Sequence, residues 1–161
     1  DNLKLNTHIN LTNMVLFGEN DVIQKFPSIQ SIVERFFEKR MELYEIRKKT
    51  TLEQFSSELR ILQNKRRFIE MVLIQEIVLT SMDESRLQTE LKEKEFETQD
   101  DSYDYLLRIP IRDFTKNKIT TLEEKIRNVE ANLISLKKTK PSKLWLHDLD
   151  IFEKEYKKIY M

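Results

Sequence analysis

The sequence contains no cysteine, a single glycine (Gly18) and only three prolines (Pro27, Pro110 and Pro141). The missing thiols exclude disulfides and thiolate metal sites and fit a reducing compartment. So few chain breakers exclude the turn-rich pattern of an all-β sandwich or barrel and point to few, long, helical elements. A surplus of either charge is missing too, because 28 basic and 28 acidic residues are mixed along 161 positions. A surface built to grip nucleic acid usually carries a clustered basic surplus, so most of this one is not expected to bind DNA. No stretch approaches the roughly 20 apolar residues of a membrane-spanning helix, and the N-terminus lacks a signal-peptide pattern. The chain starts at Asp1 without an initiator Met and reads as a piece of a longer protein. With 35% charged residues it is too polar for a compact sphere with a large core, which predicts an elongated, α-rich molecule.

What is present is ordered by period. From Leu3 to Phe17 the odd positions read Leu3, Leu5, Thr7, Ile9, Leu11, Val15 and Phe17, while the even ones include Lys4, Asn6, His8, Asn10 and Thr12. That alternation predicts a strand with one buried face. Gly18-Glu19-Asn20-Asp21 supplies turn residues before Val22 and Ile23, giving a hairpin that must lean on the helices that follow or on an absent upstream domain.

Pro27-Ser28 is a helix start, and no Gly or Pro interrupts the chain from Ile29 to about Leu79. The first part of that helix is expected to bury Ile29, Ile32, Val33, Phe36, Phe37, Leu43 and Ile46. After a phase shift at Thr50-Thr51 comes a heptad seam of Leu52, Phe55, Leu59, Leu62, Arg66, Ile69 and Leu73, with Arg66 its one polar member. Its partner is Ile119, Leu122, Ile126, Val129, Leu133 and Leu136, capped by Thr115, with Glu123 and Arg127 placed for an i,i+4 pair outside the seam. Lys140-Pro141 ends that helix, and a last one carries Trp145, Leu149, Phe152, Tyr156 and Ile159 on one face.

The predicted fold is therefore mainly α, with an N-terminal β-hairpin and a long antiparallel coiled-coil stalk bearing a small helical tip. The expected segments are the hairpin (1–27), a long stalk helix (28–80), a tip (81–112), a return helix (113–140) and a C-terminal amphipathic helix (141–161). Around Ile74, Ile77 and Val78 the long helix is apolar on nearly every side, more than one partner helix covers. Leu87, Leu91, Phe96, Tyr103, Tyr105, Leu106, Leu107, Ile109 and Ile111 can bury part of that surface. The remainder is expected to form a self-pairing interface through Ile74, Val78, Tyr103, Tyr105, Leu106, Leu107 and Ile109, unless the tip buries everything itself.

No constellation here carries chemistry. His8 and His147 lack a second ligand, Ser56-Ser57 lacks a paired base, and there is no Gly-rich phosphate loop. Arg66-Arg67 and Lys137-Lys138 with Lys140 read as solvated helix faces, with fleeting contact to DNA as the alternative.

Four stretches resemble the eukaryotic-type type IIA DNA topoisomerases. Tyr103-Asp104-Tyr105-Leu106-Leu107 through Ile111, followed by Phe114-Thr115-Lys116-Asn117-Lys118, is similar to a sequence signature of that family. Thr139-Lys140-Pro141-Ser142-Lys143-Leu144-Trp145 through Phe152, Asn13-Met14-Val15-Leu16-Phe17, and Phe36-Phe37 through Tyr44 with Arg47-Lys48 match further family motifs in the same order. Arg112 departs from the family's usual Trp, the stretch between Leu79 and Tyr103 is short, and the Lys, Asn and Ile bias points to a viral or parasite member.

The resemblance implies the exit gate of an ATP- and Mg2+-dependent enzyme, working as a homodimer on double-stranded DNA, with no membrane partner. It implies that the hairpin (1–27) is the edge of an upstream DNA-binding core, which makes Lys4 and its neighbours the better candidates for weak DNA contact, and it implies the nucleus for a cellular protein and host cytoplasm for one from a cytoplasmic DNA virus. The family's nucleophile is a Tyr following an Arg; no Arg-Tyr pair occurs here, so this stretch holds neither catalytic residues nor a cofactor site. Asp148-Leu149-Asp150 matches the family's metal-binding spacing, yet it reads as hydrated helix charge flanking a buried Leu149. The competing reading is a structural coiled-coil tether or dimerisation module with an unrelated partner.

Overall fold

The computed structural model describes residues 10–18, 21–79 and 83–160. The elements are β1 (Val15–Phe17), β2 (Ile23–Lys25), α1 (Ile29–Leu73), α2 (Glu84–Glu93), α3 (Asp104–Leu107), a 3-10 turn (Ile111–Asp113), α4 (Lys116–Lys138) and α5 (Pro141–Tyr160). The fold is mainly helical with an N-terminal antiparallel hairpin and one long helix. Among the described residues, no helix is long and apolar enough to cross a membrane. The chain forms two units, Asp1–Ile46 with Leu144–Met161, and Arg47–Lys143.

In the first unit, β1 and β2 pair as Val15 with Lys25, Leu16 with Gln24 and Phe17 with Ile23. Gly18 N–H donates to the Val22 carbonyl at 2.7 Å. A Cβ at Gly18 would fall 2.5 Å from Gln24 Oε1, so any larger residue would push Gln24 aside. The alternation from Leu3 to Ile9, including Lys4 and His8, lies outside the described residues. Where it is described, the expected buried face is absent: Leu11, Val15 and Phe17 are all exposed.

Helix α1 starts on reciprocal caps, Ser31 N–H to Ser28 Oγ at 3.1 Å and Ser28 N–H to Ser31 Oγ at 3.3 Å. Its first part meets α5 through one aromatic joint. Trp145 lies 5.3 Å from the Phe37 ring and 5.9 Å from the Tyr44 ring. Beside them the Tyr44 hydroxyl donates to Asp148 Oδ2 at 2.7 Å, and the Arg40 guanidinium sits 5.3 Å over the Tyr44 ring.

Even around this joint the amphipathic faces stay largely uncovered, which corrects the expectation of burial there. Ile29, Val33, Phe36, Phe37, Leu43 and Ile46 on α1 are exposed, as are Leu149, Phe152, Tyr156 and Ile159 on α5; Ile32 alone of the α1 set is half-buried. The periodicity specified a face. It did not specify what covers it.

In the second unit, α1 and α4 run antiparallel, as two distant contacts require: Lys48 Nζ reaches the Lys137 carbonyl at 3.1 Å, and Arg66 meets Glu123 at 3.0 Å. Leu52, Phe55, Leu59, Leu62, Ile69, Ile119, Leu122, Ile126, Val129, Leu133 and Leu136 are each buried or half-buried. Thr115 caps α4, its side chain accepting from Lys118 N–H at 3.2 Å. Glu123 pairs with Arg66 rather than with Arg127, because the facing helix brings a cation closer than the next turn does.

The long helix stops at Leu73, earlier than the expected Leu79. Gln75 adopts the left-handed conformation (φ 61°), letting Glu76 N–H bond the Met71 carbonyl and Gln75 N–H bond that of Val72. This is the Schellman arrangement usually closed by glycine. Helix α2 ends the same way on Glu95 (φ 56°), with Phe96 N–H on Leu91 and Glu95 N–H on Lys92. In that conformation a Cβ costs about 1–2 kcal/mol, partly offset by the extra unfolded-state freedom of Gly. Glu95→Gly is therefore expected to stabilise the protein by about 0.5–1 kcal/mol. Urea unfolding checks it, and a lowered midpoint contradicts this account of the cap.

Candidate functional site

The most fully buried side chains gather at the end of the second unit, from α1, α2, α3 and the segments that join them. Phe68, Ile77, Leu91, Phe96 and Leu106 form a buried cluster. Phe68 meets Phe96 edge-on at 6.1 Å and Phe114 at 6.0 Å. The turn at Gln75 is what folds Ile77 into this cluster instead of continuing along α1. Arg67 lies 4.0 Å over the Phe96 ring and donates to the Lys94 carbonyl at 2.6 Å, closing the end of α2.

Tyr105 is an internal strut: its hydroxyl donates to the Glu97 carbonyl at 2.7 Å and accepts from Asn64 Nδ2 at 3.1 Å. Burial pushes this phenol above its ordinary value, against the opposing Asn64 bond. Lys118 donates to Asp113 at 2.7 Å and holds that carboxyl below the usual range. Both contacts pin the loop ahead of α4.

The residues expected at a self-pairing interface separate into three groups. Ile74 (60% exposed) and Val78 (41%) face solvent. Tyr103, Tyr105, Leu107 and Ile109 are half-buried against the cluster. Leu106 is 0% exposed and belongs to the interior, so it is no surface candidate. Ile111, expected among the residues that fill the tip, is instead 88% exposed on the 3-10 turn. With Leu73, also exposed, Ile74, Val78 and Ile111 are, among the described residues, the large apolar side chains this end leaves bare.

Among the described residues no three His, Cys, Asp or Glu side chains gather to hold a metal ion. Asp148 and Asp150 sit two apart on α5, so they point in different directions, and Asp148 is held by Tyr44. They do not fit a shared magnesium ion. Leu149 between them is exposed rather than buried, and His147 is exposed as well. A cleft of about 720 Å3, lined by Lys65, Asp100, Tyr105, Lys118, Leu122 and Lys125 among others, contains no nucleophile paired with a base.

Sequence periodicity missed Phe68 and Phe114 as core residues and did not single out Ile77 from the apolar stretch around it as the one the tip encloses. Phe68 sits beside the seam rather than in it, and Ile77 and Phe114 are placed by turns.

The family described as the A-type chain of DNA gyrase/topoisomerase IV matches residues 1–150. DNA topoisomerase 2 of Invertebrate iridescent virus 6 is 30% identical over 150 residues, covering 92% of this chain and 13% of that protein. DNA topoisomerase 2 of Arabidopsis thaliana is 31% identical over 194 residues, covering 97% of this chain and 13% of that protein. The crystal structure of the Plasmodium falciparum topoisomerase II DNA-binding, cleavage and re-ligation domain superposes with a TM-score of 0.85 at 24% identity, over 94% of this chain and 24% of that one. The chain thus spans about an eighth of the length of the curated relatives it matches.

Proposed function

The chain belongs to the DNA gyrase/topoisomerase IV A-type family of type II topoisomerases, and from that premise we propose that its second unit is the exit gate of such an enzyme. In this reading α1 and α4 form a coiled-coil stalk, and the apolar end bearing Ile74, Val78 and Ile111 pairs with the same end of a second copy. The paired ends close a cavity through which a transported DNA duplex leaves. DNA cleavage, Mg2+ and ATP belong to other parts of the parent enzyme. The hairpin and the uncovered faces of the first unit then lie against its DNA-binding core. The parent acts in the nucleus if cellular and in host cytoplasm if it comes from a cytoplasmic DNA virus, as the likeness to an iridescent-virus protein suggests.

The observation that carries this reading is the exposed set Leu73, Ile74, Val78 and Ile111 beside a core that is already filled. Scaled by their exposure, two copies of these four side chains are worth about 7–14 kcal/mol when buried. Association costs on the order of 4–15 kcal/mol. Pairing is therefore weak alone and firm only where other contacts within the dimer keep the two ends at high effective concentration. Such a gate opens without the dimer dissociating.

Sedimentation of the 161-residue chain tests the interface. A concentration-dependent symmetric dimer is expected, weakened at least tenfold by Ile74→Asp combined with Ile111→Asp while helicity persists. A monomer at millimolar concentration, or a dimer indifferent to both substitutions, favours the tether reading.

A further inference from the structure

Arg66 is the one charged member of an otherwise apolar stripe, and the packing changes where it stands. On one side of it Ile69 and Leu122 are buried; on the other, Val129 and Leu133 are buried. Between them Ile126 is only half-buried, as are Leu59 and Leu62 on α1 and Ile119 and Leu136 further along α4, and it alone of these lies beside a charged seam residue. Arg66 does not fill the seam. Its Nε lies 3.0 Å from Glu123 Oε1, though out of line for a hydrogen bond, and its Nη2 lies 3.5 Å from Glu70 Oε2. All three side chains are 39–47% exposed. Beside them Gln63, Arg66, Glu123, Ile126, Arg127 and Glu130 line an open space of about 340 Å3.

We propose that this polar layer is a joint, the point at which the α1–α4 pair yields first. A leucine at position 66 would continue the apolar contact from Leu62 to Ile69 and cover Ile126. With arginine, two apolar segments are linked by exposed charge pairs, which contribute little net stability and break easily in water. Local opening is governed by how much apolar contact must be broken, so the layer opens at lower cost than either segment beside it. The consequence is mechanical: the compact end can tilt while the packing on both sides survives. The inference rests on the packing within this unit and holds whether the end pairs with a second copy or not.

Native-state amide hydrogen exchange on the 161-residue chain tests it. Amides of residues 123–127 are expected to exchange at least tenfold faster than those of residues 130–134. Arg66→Leu should slow the first group at least tenfold while the second changes less than threefold. Glu123→Gln, which breaks the pair without adding apolar contact, gives an independent reading and should speed the first group at least threefold. Equal protection along α4, or an even response of α4 to these variants, overturns the proposal and makes Arg66 an ordinary surface residue over a continuous seam.

Discussion

Leu106→Asp unfolds the compact end of the second unit. Leu106 is fully enclosed with Phe68, Ile77, Leu91 and Phe96, and no cation is among those neighbours to pair with a new carboxylate. Removing the leucine and burying a charge together cost on the order of 5 kcal/mol, a large fraction of a domain's net stability. Exchange protection across α2 and α3 should collapse, whereas Leu106→Met, of similar volume, should cost less than about 1.5 kcal/mol. Ile111→Asp, on an exposed turn, should change stability by no more than about 0.5 kcal/mol. Comparable losses for Leu106→Asp and Ile111→Asp would contradict this division into interior and surface.

How much of this was legible in the sequence depended on what kind of signal each feature carried. The two apolar stripes, the Thr115 cap and the break at Pro141 are local patterns with a direct structural meaning, and each element lies where its residues put it. The end of α1 carried no such signal. With Gly18 the only glycine in the chain, both Schellman ends rest on Gln75 and Glu95, residue types that equally suit a helix interior. Reading past Gln75 placed Ile77 in a helix, when the turn is what carries it into the core. Ile111 failed for a related reason: an isolated apolar residue after Pro110 has no period that tells inside from outside.

The faces of α1 and α5 in the first unit show a different limit. Ile29, Val33, Phe36, Leu149 and Phe152 repeat at helical spacing and are nonetheless exposed, because amphipathicity demands a cover without supplying one. The Arg66–Glu123 pair was missed because an i,i+4 rule sees only one helix at a time.

The central claim is that the end of the second unit is a gate, and a reversible lock tests it most directly. Cysteine is absent from this sequence, so one introduced at Ile111 is the only thiol of the segment. Tyr105 is a poorer position, because its hydroxyl already bridges Asn64 and Glu97. In a parent enzyme otherwise freed of reactive thiols, Ile111→Cys should form a disulfide between protomers when the two ends pair with suitable spacing, and Val78→Cys serves as the second position. The locked enzyme should cleave DNA normally yet fail at multi-turnover strand passage, recovering when reductant is added. Fully cross-linked enzyme that relaxes DNA at the normal multi-turnover rate, or no cross-link at Ile111, Val78 or Ile74 alike, would contradict the gate.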